Sequence, residues 1–123
     1  MKAILWVGLG GSLGAIARYL LGGWIAARLG ASFPYGTFAI NVAGSGVLGL
    51  ILGAFESRVP PAPLPLAVTI GFLGAFTTFS TFTYETTRLI EAGSLLPAMV
   101  NVAASVIAGL IAVMVGLALG RAL

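Results

Sequence analysis

Three tracts of this 123-residue chain, Leu29 to Phe55, Val59 to Tyr84 and Ala92 to Gly120, contain no charged residue. Each is longer than the ~20 residues a helix needs to cross the hydrocarbon core of a bilayer. A fourth tract, Ala3 to Ala27, is interrupted only by Arg18. Four crossings use nearly the whole chain, so the sequence predicts an all-α integral membrane protein with one transmembrane domain over residues 1–123. Composition agrees, because only 7% of the residues are charged, against about 25% in soluble domains. Lipid is the solvent for such a chain.

Turn signals divide the tracts into helices at about 4–28, 37–55, 64–91 and 95–119. The breaks are Gly30-Ala31-Ser32-Phe33-Pro34-Tyr35-Gly36, Pro60-Pro61-Ala62-Pro63-Leu64-Pro65 and Ala92-Gly93-Ser94, with Ser94 placed to cap the last helix. Trp6 and Trp24 stand roughly 27 Å apart along the first helix, a spacing that suits two interfacial tryptophans. Met1-Lys2 and the apolar run after them resemble a signal peptide, but the run leads into further membrane segments, and a retained helix is expected. Small residues recur four apart at Gly10 and Gly14, Gly49 and Gly53, and Gly116 and Gly120. That pattern predicts close backbone packing between helices, and between subunits as well.

Cysteine and histidine are both absent, which removes disulfides, thiolate metal sites, cysteine nucleophiles and the commonest general base. A membrane enzyme is disfavoured, since the serines and threonines have no histidine partner and no lysine lies within a span. The six basic residues are scattered singly and form no surface for nucleic acid. With four helices, Lys2, Arg58 and Arg121 fall on the side of the termini and Arg28 and Arg88 on the other. Topology follows the Lys/Arg bias between the two sides, and here it nearly vanishes. Insertion in both orientations and an antiparallel, dual-topology homodimer are therefore expected.

Gly8-Leu9-Gly10-Gly11-Ser12-Leu13-Gly14 superficially suggests a phosphate loop, but Leu13 stands where the third glycine is required and no strand and crossover follow. A helix-packing face is the better reading. Arg18 is costly within a span unless it snorkels, pairs or faces water, and it lies within snorkelling reach of the level of Trp24. A further role for it is drawing anions toward a vestibule.

The most informative stretch is Gly71-Phe72-Leu73-Gly74-Ala75-Phe76-Thr77-Thr78-Phe79-Ser80-Thr81-Phe82-Thr83-Tyr84-Glu85, inside the third helix. Taken singly, its hydroxyls could bond their own backbone carbonyls and its phenylalanines could merely pack. Together, glycines and β-branched threonines weaken the helix at mid-membrane, and freed backbone groups survive there only beside protein, water or an ion. A third helix broken mid-membrane is expected, its loose carbonyls suited to a small hard cation such as sodium. Phe79 and Phe82 lie one turn apart, and their ring edges carry positive partial charge. With the hydroxyls of Ser80 and Thr81, the amide of Asn41, and Ser105 and Asn101 on one face of the fourth helix, they form a candidate polar track without fixed charge. Asn41 and Asn101 have a plainer reading as interhelical hydrogen bonds worth about 0.6 kcal/mol each.

Gly-Gly-x-x-Gly-Ala-x-x-Arg-Tyr (Gly10 to Tyr19), Asn-x-x-Gly (Asn41 to Gly44) and Gly-Phe-x-Gly-x-x-Thr-Thr-Phe-Ser-Thr-Phe (Gly71 to Phe82) resemble the Fluc/CrcB family of fluoride channels. The resemblance covers the first three helices in order, and the third-helix motif is the specific one. It implies a two-pored antiparallel homodimer in a bacterial or archaeal cytoplasmic membrane, with a central structural sodium and passive, selective fluoride efflux that relieves toxicity. Matched by motif position, Gly74 and Thr77 would supply sodium-binding backbone carbonyls. Phe79 and Phe82 would line the pore, Asn41 would be a pore-side donor, and Ser80, Thr81 and Ser105 would hydrogen-bond fluoride along the track. Ala75 departs from the family, which often has glycine there, but a carbonyl ligand needs only backbone.

The nearest alternative is a small dual-topology proton-coupled multidrug or cation transporter, which needs a titratable carboxylate within the membrane. The only acids, Glu56, Glu85 and Glu91, are expected near helix ends. A non-catalytic scaffold subunit would explain the glycine faces but not the hydroxyl-rich break.

Overall fold

A computed structural model describes residues 2–57 and 64–123. Helix α1 (Lys2–Leu29) is followed by α2 (Tyr35–Ser57). A third span comprises a π-helical segment (Leu66–Leu73), the single turn α3 (Gly74–Phe76) and α4 (Phe79–Glu91). It is followed by α5 (Leu95–Arg121). All regular structure among the described residues is helical, and four spans, Lys2–Leu29, Tyr35–Glu56, Leu66–Glu91 and Leu95–Arg121, are long and apolar enough to cross a membrane. The expected helices are thus found, with ends shifted by a few residues. Of the expected linker at 60–65, Leu64 and Pro65 are helical, while residues 60–63 and the flanking charge Arg58 lie outside the described residues.

Few residues in these spans are buried, because apolar side chains face outward all round, as bilayer helices allow. What holds the helices together is backbone proximity at glycine. The second and fourth spans run parallel. A Cβ on Gly116 would fall on the Gly46 carbonyl oxygen, and one on Gly49 on that of Val113. Gly120 meets the Leu50 carbonyl in the same way. At the end of this seam Arg121 grips Glu56 with two hydrogen bonds of 2.9 Å, a solvent-exposed pair that adds register more than stability.

The first and third spans also lie parallel, and here the glycines of α1 meet a widened helix. A Cβ on Gly10 would strike the Ala67 carbonyl, one on Gly14 the Phe72 carbonyl, and one on Gly71 would lie 2.7 Å from the Val7 carbonyl. A π turn closes i→i+5 bonds and is rare outside short functional bulges. A run of eight residues is accommodated because the facing side of α1 has no side chains at Gly10 and Gly14. Gly30 and Gly93, at φ 80° and 75°, take the left-handed conformation that ends α1 and α4. Ser94 occupies the N-cap position of α5, but its side chain makes no capping bond. Instead its N–H donates to the Leu89 carbonyl, finishing α4, and its own carbonyl receives Ala98 N–H.

Gly116→Ala is expected to lower the thermal unfolding midpoint in detergent, at an overpacking cost of about 1–3 kcal/mol. Gly23→Ala should not, since a Cβ there meets nothing within 4 Å. Equal midpoints for both would show that the seam does not hold the spans together.

Candidate functional site

Thr77 (φ −79°, ψ 158°) and Thr78 (φ −152°, ψ 119°) leave the helix and separate α3 from α4. Both the N–H and the hydroxyl of Thr77 donate to the Leu73 carbonyl, at 3.0 and 2.9 Å, which closes the first half. The Thr78 hydroxyl accepts Thr81 N–H at 3.2 Å and opens the second half as its N-cap, a role that extended threonine fills well. One dipeptide ends one helix and begins the next.

Backbone groups freed inside a membrane must find partners within the protein. Asn41 of α2 provides them: Nδ2 donates to the Thr78 carbonyl at 3.0 Å and Oδ1 accepts Thr78 N–H at 2.8 Å. Ser45, one turn on, donates to the Asn41 carbonyl at 2.7 Å. Gly44 faces the break too, since a Cβ there would fall on the Thr77 methyl and crowd the Phe76 ring. Asn-x-x-Gly is therefore one device, an amide that grips the break and a gap that admits it. Because Thr78 N–H is held by Asn41, the Gly74 carbonyl loses the i+4 donor a continuous helix would give it.

The Phe79 and Phe82 rings lie 5.8 Å apart, tilted by 41°. Phe79 is 77% exposed in the single chain, while Phe82 is half-buried. Thr78 gathers the neighbouring hydroxyls, lying 3.0 Å from Thr81 Oγ1 and 3.4 Å from Ser80 Oγ. An open cleft of about 300 Å³ beside the break is lined by Asn41, Gly74, Thr77, Thr78 and Phe79. A second cavity of about 640 Å³ reaches Thr78 and Thr81 from the side of the α1–α2 and α4–α5 turns, and Arg18, Glu85 and Arg88 line it. Arg18 thus faces a cavity.

Most sequence-predicted residues meet at the break, but Ser105 does not and lines neither cleft. It lies on α5, 3.4 Å from Asn101 Oδ1. Asn101, 1% exposed, donates to Thr86 Oγ1 at 2.8 Å. Both asparagines therefore make interhelical bonds, and several hydroxyls, among them Ser12, Thr69, Thr83 and Thr87, bond backbone carbonyls of their own helix or span. Glu85 stands toward the end of the third span, as expected, but one of its carboxylate oxygens is buried and unpartnered. Its place one helical turn after Phe82 is the signal the sequence offers for it.

No group of three or more acidic, histidine or cysteine side chains among the described residues is arranged for a metal. A cation at the break would rest on uncharged oxygens, and the Gly74 carbonyl, without its i+4 donor, is one of them.

Four spans and an uncharged polar break midway along the third define a multi-pass membrane protein with a site built from backbone and hydroxyls. The chain belongs to the CrcB family, whose model, described as CrcB-like protein, Camphor Resistance (CrcB), matches residues 5–117. Among its relatives, a protein of Acidobacterium capsulatum named fluoride-specific ion channel FluC is 48% identical over 118 residues, covering 95% of this chain and 94% of the relative. Proteins of the same name from Geotalea daltonii and Citrifermentans bemidjiense are 46% and 47% identical, covering 98% and 100% of each chain.

Proposed function

We propose that this protein is a fluoride-selective ion channel, giving passive efflux of fluoride from the cytoplasm across the cytoplasmic membrane. The observation that carries the reading is the break itself, where paired ring edges and clustered hydroxyls stand at mid-span with no fixed charge among them. Fluoride is small and strongly hydrated, so a pore must replace its water with close donors yet release the ion. Positive ring edges of Phe79 and Phe82 and the hydroxyls of Ser80 and Thr81 meet both needs. Asn41 has already committed one amide hydrogen to Thr78, and its second remains for the pathway. Ser105, bonded to Asn101 on α5, stands apart from this group.

The working unit is an antiparallel homodimer. Gly74, Phe79 and Ser80 are exposed in the single chain, where lipid would meet loose backbone, and a second copy placed there covers them. The nearly even Lys/Arg distribution favours opposite orientations. The Gly74 and Thr77 carbonyls of each copy would hold a sodium ion at the dimer centre. When bound, it supplies a fixed positive charge that holds the two breaks together. Replacing sodium with N-methylglucamine on both sides should cut fluoride release severalfold, and unchanged release would remove the site.

Purified protein in liposomes loaded with fluoride and chloride, with valinomycin carrying potassium, tests the main reading. Rapid fluoride release with chloride retained is expected. Release of neither, from folded protein, would overturn it. The buried oxygen of Glu85 favours one second reading, proton-coupled cation transport. Cation uptake driven by an imposed pH gradient would decide for that reading.

A further inference from the structure

The break leaves α4 without the continuity that normally fixes a helix's rotation, since two extended residues join it to α3. Among the described residues α4 packs on α5 and α2 only. Its start is held by Asn41 at Thr78. Its middle is held from α5, where Asn101 Nδ2 donates to Thr86 Oγ1 at 2.8 Å and that hydroxyl in turn donates to the Phe82 carbonyl at 2.8 Å. Ser105 steadies the Asn101 oxygen from one turn away. Phe79, Phe82 and Thr86 follow at i, i+3 and i+7, so they share one face of α4. A rotation that broke the Thr86 bond would swing both rings.

We infer that Asn101 is a positioning residue for ion conduction: acting through Thr86 and the Phe82 carbonyl, it sets the rotation of α4 and hence the aim of the Phe79–Phe82 pair. The bond is made in the most deeply buried polar position of the described chain, Asn101 being 1% exposed, so neither partner can turn to water. This rests on the two rings lining the fluoride pathway.

The full-length protein is tested as Asn101→Leu, Thr86→Val, the double variant and Thr86→Ser, each purified, sized and reconstituted. Fluoride release per protein should fall about tenfold in each of the first two, as removing one partner of a buried bond leaves the other unpaired. The double variant should be no slower than the slower single, and Thr86→Ser, which keeps the hydroxyl, should stay within about twofold of the parent. Losses that multiply in the double variant, full release in Asn101→Leu, or a Thr86→Ser loss equal to that of Thr86→Val would overturn the inference. If Asn101→Leu does not fold, the contrast between Thr86→Val and Thr86→Ser decides. A parent that releases no fluoride overturns the fluoride reading alone. In that case coupling between the two positions in thermal midpoint still reports whether the bond sets α4.

Discussion

Replacing Asn41 with alanine should abolish fluoride release and lower the thermal midpoint. Two effects compete in setting the size of this loss. Polar side-chain pairs between membrane helices average only about 0.6 kcal/mol, because the unfolded chain in lipid finds other partners. Leaving a buried backbone group unpaired costs about 1–3 kcal/mol, and here two groups are left, the N–H and the carbonyl of Thr78. The second effect wins, since an extended Thr78 has no helical partner to return to unless the break closes, and closing it dismantles the ring and hydroxyl arrangement. Asn41→Asp separates the two ends of the amide. It retains an acceptor for Thr78 N–H but sets a carboxylate oxygen against the Thr78 carbonyl, so it should also fail. Liposome release and thermal midpoints of both variants check this, and parental release from Asn41→Ala would mean that the break stands without its clamp.

How much of this was legible in the sequence follows from what each feature depends on. The spans were legible because an uncharged tract of 20 or more residues has few other homes, and the break because glycine and β-branched residues act locally on the helix that contains them. Glycines spaced by four correctly announced the seam of α2 and α5. Features set by a partner distant in sequence were not legible. The π winding of Leu66–Leu73 depends on the bare face of α1 some sixty positions earlier. Asn41 could be recognised as a donor, but an amide has two ends, and only the fold shows both committed to Thr78. Asn101 and Ser105 were seen to share a face, yet the group opposite them, Thr86, lies in another span. The sequence places Glu85 correctly in a helix ending at residue 91, but the burial of its carboxylate oxygen depends on neighbours brought from other spans and is not legible in the sequence.

Isoleucine in place of Phe79 or Phe82 should reduce fluoride release by about tenfold or more while the protein remains folded, a loss equivalent to at least ~1.4 kcal/mol in the barrier. Isoleucine keeps an apolar side chain of fair size but has no quadrupole, so it removes the positive ring edge that the proposed pathway would present to an anion. The two positions differ in what else they lose. Phe79 is 77% exposed in the single chain, so its ring contributes little to packing within the protomer, and Phe79→Ile should lower the thermal midpoint only slightly, through the proposed contact with a second copy. Phe82 is half-buried, and its replacement should cost release and some stability together. A small drop in midpoint with a large drop in release at residue 79 therefore separates a pathway role from a packing role more cleanly than either variant's flux alone. If both variants conduct like the parent, the 5.8 Å ring pair is a packing contact, and the hydroxyls gathered at Thr78 would have to carry the ion without it.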